Sequence, residues 1–373
     1  METFRINSKL KENDKEILIQ TANNPSEGTI SSSIYVDGVL TELLMLPHPL
    51  EENPDRVMSL VKETHGIRKE ELEALLAAYR NALSSSDSKL ICKLGQALFY
   101  KRLFPEAKEL LRSAVTLDPE FHASRQALAK VELELGNIKG ALEQAAQAAE
   151  QCPKYADYRN TLGEILMTSG DFVKAVTEFQ DAVKINLYYA EAYYNLGLAV
   201  LNCVKANPNE HSAPNLLVRA RDAFKKAAMI DSEFAISPFE QGIKALESRQ
   251  LNKALEYFET VSKRVKEKQR SEQANYFMRF VIMRDSAAEE TIESRIKFLE
   301  KEISKNPSYV DLHAELAQCY LELARKCWRK GIEQYRKTLE LNPGFGSARR
   351  CMDEAERQYG ELCHSLERIV SRS

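Results

Sequence analysis

Along residues 88–345 the apolar side chains keep the 3.6-residue spacing of one helical face, and that spacing predicts helices in pairs. In the first pair Leu94-Gly95 lies on one helix and Ala107, Leu111 and Ala114 on the next, which stops before Pro119. The pattern returns with Leu128-Ala129, Ala141, Ala145, Ala148 and Pro153, and again with Leu162-Gly163, Ala175, Phe179 and Ala182. Positions 95, 129 and 163 are each 34 residues apart. A fixed interval of that length marks stacked helical hairpins, because each hairpin leaves an apolar face that only the next can cover.

Small side chains belong where two helix backbones approach closely. A bulkier residue there overpacks the contact at a cost of roughly 1–3 kcal/mol. Proline ends the second helix of a pair because it lacks the N–H and clashes with the preceding turn. The fourth pair opens with Leu196-Gly197 and closes with Ala220, Phe224 and Ala227. Gly197 to Ala220 spans 23 residues where Gly95 to Ala107 spans 12, so a polar insertion of 11 residues around positions 207–214 is expected. Ser237-Pro238-Phe239-Glu240 reads as a capping box opening the fifth pair, followed by Gly242, Ala254 and Phe258.

These residues resemble the tetratricopeptide repeat family over residues 88–345. The resemblance implies a mostly α fold: a right-handed α-solenoid with repeats at about 88–121, 122–155, 156–189, 190–234 and 235–268. A degenerate sixth (269–309) keeps Leu299, Ile303 and Pro307, and a last repeat (310–345) carries Leu316-Ala317, Tyr320, Tyr335 and Pro343. Residues 346–373 then form a capping helix over an apolar end that would otherwise aggregate.

Residues 1–50 have a different pattern. Lys-Glu-Ile-Leu-Ile-Gln-Thr (15–21), Thr-Ile-Ser-Ser-Ser-Ile-Tyr-Val (29–36) and residues 39–46 have strand composition. Asp37-Gly38 between the last two is a tight-hairpin signal, so a three-stranded antiparallel meander is predicted, docked on a helix or another subunit. Residues 51–87 read as two capping helices, one opened by Asn53-Pro54, with a break at Gly66.

Composition narrows the function. A net charge of -3 argues against a dedicated nucleic-acid binder, and no apolar run reaches the ~18 residues of a membrane span. The first residues, Met-Glu-Thr-Phe-Arg, carry no charged-then-apolar leader. Seven scattered cysteines without a C-x-x-C pair read as reduced thiols of a cytoplasmic protein. No histidine sits at metal-ligand spacing from another ligand except the adjacent Cys363-His364, which point to different sides of a helix. No nucleophile elbow, phosphate loop or zinc-protease motif occurs, so no catalytic residue, metal or cofactor is assigned.

What the tetratricopeptide resemblance implies instead is a groove lined by the first helix of each repeat. Repeat one contributes Gln96, Phe99 and Tyr100; repeat two, Gln126, Lys130 and Glu134; repeat three, Asp157, Asn160 and Glu164; repeat four, Glu191, Tyr194 and Asn195. Asparagine amides can hold a peptide backbone, aromatics can anchor it, and the carboxylates favour a protein or peptide partner with lysine or arginine. Solvated helix faces for the acids, and packing on a neighbouring helix for Phe99 and Tyr194, are the plain alternatives. The carboxylate clamp of chaperone-binding relatives is absent, since its places read Cys92, Gln96, Ala127, Asp157 and Thr161. The reading is a non-catalytic protein-interaction scaffold. The alternative is a self-assembling structural protein that forms homo-oligomers through the groove and the N-terminal hairpin.

Overall fold

A computed structural model describes residues 3–12, 15–48, 53–207, 213–278, 282, 289–305 and 310–372. The chain divides into two units, residues 1–284 and 285–373.

Four antiparallel strands open the first unit: β1 (Arg5–Glu12), β2 (Lys15–Asn24), β3 (Thr29–Val36) and β4 (Val39–Pro47), side by side in that order. The sequence predicts three and misses β1. Of the four β1 residues that face inward, Ile6, Ser8, Leu10 and Glu12, only two are apolar, so its alternation is faint. The turn between β3 and β4 is the expected one, with φ of +50° at Asp37 and +79° at Gly38.

So small a sheet needs a helix beneath it. Helix α1 (Pro54–Ala82) supplies it, and Ile17, Ile19 and Ile34 share a core with Leu72, Leu75, Leu76 and Tyr79. Polar contacts fix the seating. His65 of α1 lies between Ser8 Oγ (2.7 Å) and Thr21 Oγ1 (3.1 Å), and Arg80 donates to Glu12 at 2.6 Å. Glu42 of β4 meets Arg68 at 2.8 Å and Lys101 at 3.3 Å. Burial raises the proton affinity of Glu42, but Lys101 and Arg68 outweigh it and hold the carboxyl below its ordinary value.

The predicted break at Gly66 does not occur. Val57, Val61, His65, Arg68, Leu72, Leu75 and Tyr79 continue one buried stripe across it. Burying that stripe outweighs the roughly 1 kcal/mol that a mid-helix glycine costs.

The repeats follow as α2 (Ser88–Tyr100) with α3 (Phe104–Leu117), α4 (His122–Glu134) with α5 (Ile138–Gln151), and α6 (Ala156–Ser169) with α7 (Phe172–Ile185). Then come α8 (Ala190–Ala206) with α9 (Ala213–Ile230), and α10 (Pro238–Glu247) with α11 (Leu251–Phe277). The small residues sit where helices cross. A Cβ on Gly95 would lie 2.6 Å from Leu111, on Gly163 2.6 Å from Phe179, on Gly197 2.8 Å from Phe224 and on Gly242 2.7 Å from Phe258. Repeat two solves the same crossing with fully buried alanines, Ala129 and Ala145. Large against glycine, or alanine with alanine: each solution fills the same gap.

Three local expectations need correction. The insertion of repeat four is largely helix, since α8 and α9 are each about a turn longer than α2 and α3, while residues 208–212 lie outside the described set. Ser237 makes no capping box, because its backbone is already helical and its side chain accepts no cap hydrogen bond. Helix α11 does not end near residue 268 but runs 27 residues to Phe277.

The second unit holds α12 (Glu289–Lys305), α13 (Val310–Leu341) and α14 (Gly346–Arg372). Leu299 is buried on α12, and Arg295 of α12 pairs with Glu315 of α13 at 2.6 Å. The predicted helix–turn–helix of the last repeat is one unbroken α13, because the run around Arg325-Lys326-Cys327-Trp328-Arg329-Lys330 has no helix breaker except Gly331. Trp328 donates its indole N–H to the Ala355 carbonyl of α14 at 2.9 Å. Pro307 and the side chains of Cys363 and His364 lie outside the described residues.

Two predictions follow from this packing. Gly163→Ala gains about 0.5–1 kcal/mol of helix preference but meets the Phe179 ring, so the overpacking cost of roughly 1–3 kcal/mol prevails and the melting temperature falls. Gly66→Ala, whose Cβ meets nothing, raises it; thermal unfolding compares the two. Burial and nearby Lys69 hold the His65 pKa below its ordinary value. The unfolded chain therefore takes up the proton first, and this part of the stability, complete above about pH 6.5, is lost as pH falls below it. Urea unfolding between pH 7.5 and 5 should show the loss, and His65→Gln should lessen it.

Candidate functional site

The first helices of repeats one to four, α2, α4, α6 and α8, pack side by side and present one common face. Side chains 31 or 35 residues apart meet across neighbouring helices. Gln126 donates to Asp157 at 2.9 Å and to Thr161 at 3.3 Å, and Asn195 donates to Asn160 at 3.0 Å. Asn160 and Asn195 are only 2% and 5% exposed, so these amides tie helices together and are not free for a peptide backbone.

Tyr194 is likewise no anchor. It is fully buried against Phe224, Phe234 and Phe258, and its hydroxyl donates to the Phe258 carbonyl at 2.9 Å. Burial pushes its phenol pKa well above the ordinary range. The packing alternative holds for this residue.

Phe99, Tyr100, Glu134 and Glu164 meet the second half of α11, which lies across α2 and α8. Lys266 pairs with Glu164 of α6, and Arg270 pairs with Glu134 of α4 at 2.9 Å. The Arg270 guanidinium also stands over the Phe99 ring, 5.8 Å from its centre, and Tyr100 stacks on Phe277 at 5.6 Å. Phe277 and Met278, both buried, join the core of the sheet, α1 and repeat one. Arg102, in the turn after α2, reaches Glu267 at 2.8 Å. Gln96 lies half-buried on α2.

Charge explains the arrangement. Asp157, Glu164 and Glu191 surround Lys130, and α11 adds Lys266. Burial alone would lower the Lys130 pKa, but Tyr100 and the Glu164, Asp157 and Glu191 carboxylates raise it. Lys266 is raised chiefly by Glu164. Glu191 is raised by burial and by Glu164, against the pull of Lys266 and Lys130. The groove that sequence reasoning leaves open is occupied by the chain itself.

Sequence reasoning overlooked Lys266, Arg270 and Phe277. The available signal was the basic run Lys263-Arg264-Val265-Lys266-Glu267-Lys268-Gln269-Arg270, opposite in charge to the face it covers. Among the described residues no group of three or more His, Cys, Asp or Glu side chains is placed to hold a metal. Also among them, no helix is long and apolar enough to cross a membrane. Burial pushes the Cys92 thiol up to about 12, which leaves it protonated and unreactive.

The helix pairs define a class. Residues 92–156 match the family model for the tetratricopeptide repeat, so this part of the array is built of tetratricopeptide repeats. Among solved structures, the crystal structure of MamA is 20% identical over 47% of this chain and 96% of its own, with a TM-score of 0.35. YrrB, described as a tetratricopeptide protein with an unusual peptide-binding site, is 18% identical over 49% of this chain and 90% of its own (TM-score 0.36). The pilF protein of Pseudomonas aeruginosa is 15% identical over 72% and 97% (TM-score 0.36). No curated protein matches the chain.

The burial of Tyr194 separates it from the rim. Tyr194→Phe should cost about 1 kcal/mol through the lost hydrogen bond, and Tyr194→Ala about 3–5 kcal/mol. Glu134→Ala, at an exposed ion pair, should stay within about 1 kcal/mol. Urea unfolding of the three variants checks this order.

Proposed function

We propose that the protein is a non-catalytic scaffold for other proteins, and that the face of repeats one to four is a seat for a basic helix ending in an aromatic residue. In this conformation α11 fills the seat, and a partner segment takes it by displacing α11. One observation carries the reading: the face grips a helix through Lys266 to Glu164, Arg270 to Glu134 and Phe277 on Tyr100. Tetratricopeptide repeats as a class support a protein-binding role.

Competition is steep. A segment tethered beside its site acts at an effective concentration of about a millimolar, so a free peptide with the same contacts cannot displace it at micromolar levels. A successful partner must bind more tightly, or arrive when α11 is loosened.

The test uses the full chain with Lys266→Glu and Arg270→Glu, which set like charges against Glu164 and Glu134. The probe is a labelled synthetic peptide of residues 259–278. Fluorescence anisotropy should show the opened variant binding it roughly tenfold or more tightly than the unsubstituted chain, and adding Glu164→Lys should reverse the gain. If hydrogen exchange shows α11 released and the peptide binds no better, the seat does not exist.

A further inference from the structure

Among the described residues the sheet has two free edges, β1 and β4, and they differ in a way the repeats do not explain. On β1 the outward face carries Arg5, Lys9 and Lys11, all exposed. Charged side chains on an edge strand keep other strands away. On β4 the only charge is Glu42, and it is turned inward to Arg68 and Lys101. Its outward side instead exposes Leu40 (47%), Leu43 (52%) and Met45 (50%). The register shift against β3 falls at Ile34/Tyr35, near the hairpin turn, so residues 42–47 of the strand stay regular. This edge is uncharged and open.

We infer that β4 pairs antiparallel with β4 of a second copy of this chain, joining two four-stranded sheets into one of eight. The uncharged strand that this edge requires is present on the protein itself. A β1 edge is a poor complement, since its lysines would find no carboxylate on the outward face of β4. Pairing of β4 with β1 would also propagate from copy to copy, whereas β4 with β4 closes on a two-fold axis.

A two-fold perpendicular to the sheet keeps inward residues opposite inward ones. With the axis at Leu44, Leu43 faces Met45 of the other copy, Leu44 faces its own counterpart, and Glu42 faces Leu46. No like charges meet. Tyr35 on β3 and Leu18 on β2, both half-buried, extend the apolar surface beside the seam.

Sedimentation velocity over a concentration series tests the pairing. The unsubstituted chain should form a dimer. Leu43→Lys with Met45→Lys sets lysine against lysine across the seam and should weaken it roughly tenfold or more. Both sites are half exposed, so circular dichroism should report an unchanged fold. Leu43→Lys with Met45→Glu sets opposite charges face to face and should restore the dimer. A monomer at every concentration, or a dimer indifferent to the double lysine variant, overturns the inference and leaves the edge to another protein's strand or to solvent. Failure of the charge-swapped pair to recover overturns the register.

Discussion

At Gly95, Gly163, Gly197 and Gly242 the first helix of a pair has no Cβ, and Leu111 or a phenylalanine ring of the second helix rests on its bare backbone. That close crossing fixes the tilt of each hairpin and hence how the next one stacks. Once the stacking is fixed, residues one repeat apart come to the same height on neighbouring first helices. Gln126 therefore meets Thr161, and Asn160 meets Asn195. The same rule gathers Asp157, Glu164 and Glu191 around Lys130.

A face assembled in this way concentrates negative charge under partial burial, and partial burial makes charge costly. The raised proton affinity of Glu191 and the raised pKa values of Lys130 and Lys266 express that cost from both sides. Helix α11 relieves it by bringing Lys266 and Arg270 to Glu164 and Glu134. Pairs of this kind add little net stability, because desolvation offsets most of the attraction. What they specify is which helix lies there and in what orientation. The stacking of Tyr100 on Phe277 and the burial of Met278 provide the apolar part.

The sequence made the array legible because its small residues recur at a fixed interval and proline follows the second helices of the first two repeats. Where packing, and not period, decides, the reading fell short. Gly66 looks like a break when seen alone, yet a stripe of buried residues passes through it. Strand β1 hides because half its inward positions are polar and find partners, as Ser8 does at His65. The second half of α11 shows a sparse apolar period, with Val265, Ala274 and Phe277 buried, and its orientation is set by ion pairs that link residues more than a hundred positions apart. Tyr194 and Asn160 have the types and positions of groove residues, and only the neighbouring helices reveal that they are interior.

The seating of α11 on the first helices of the repeats is the claim on which the functional account turns. Amide hydrogen exchange over residues 266–277 of the intact chain tests it most directly. Protection comparable to that of α6 and α8 is the predicted result. Exchange at the rate of an exposed, unsupported helix would contradict it.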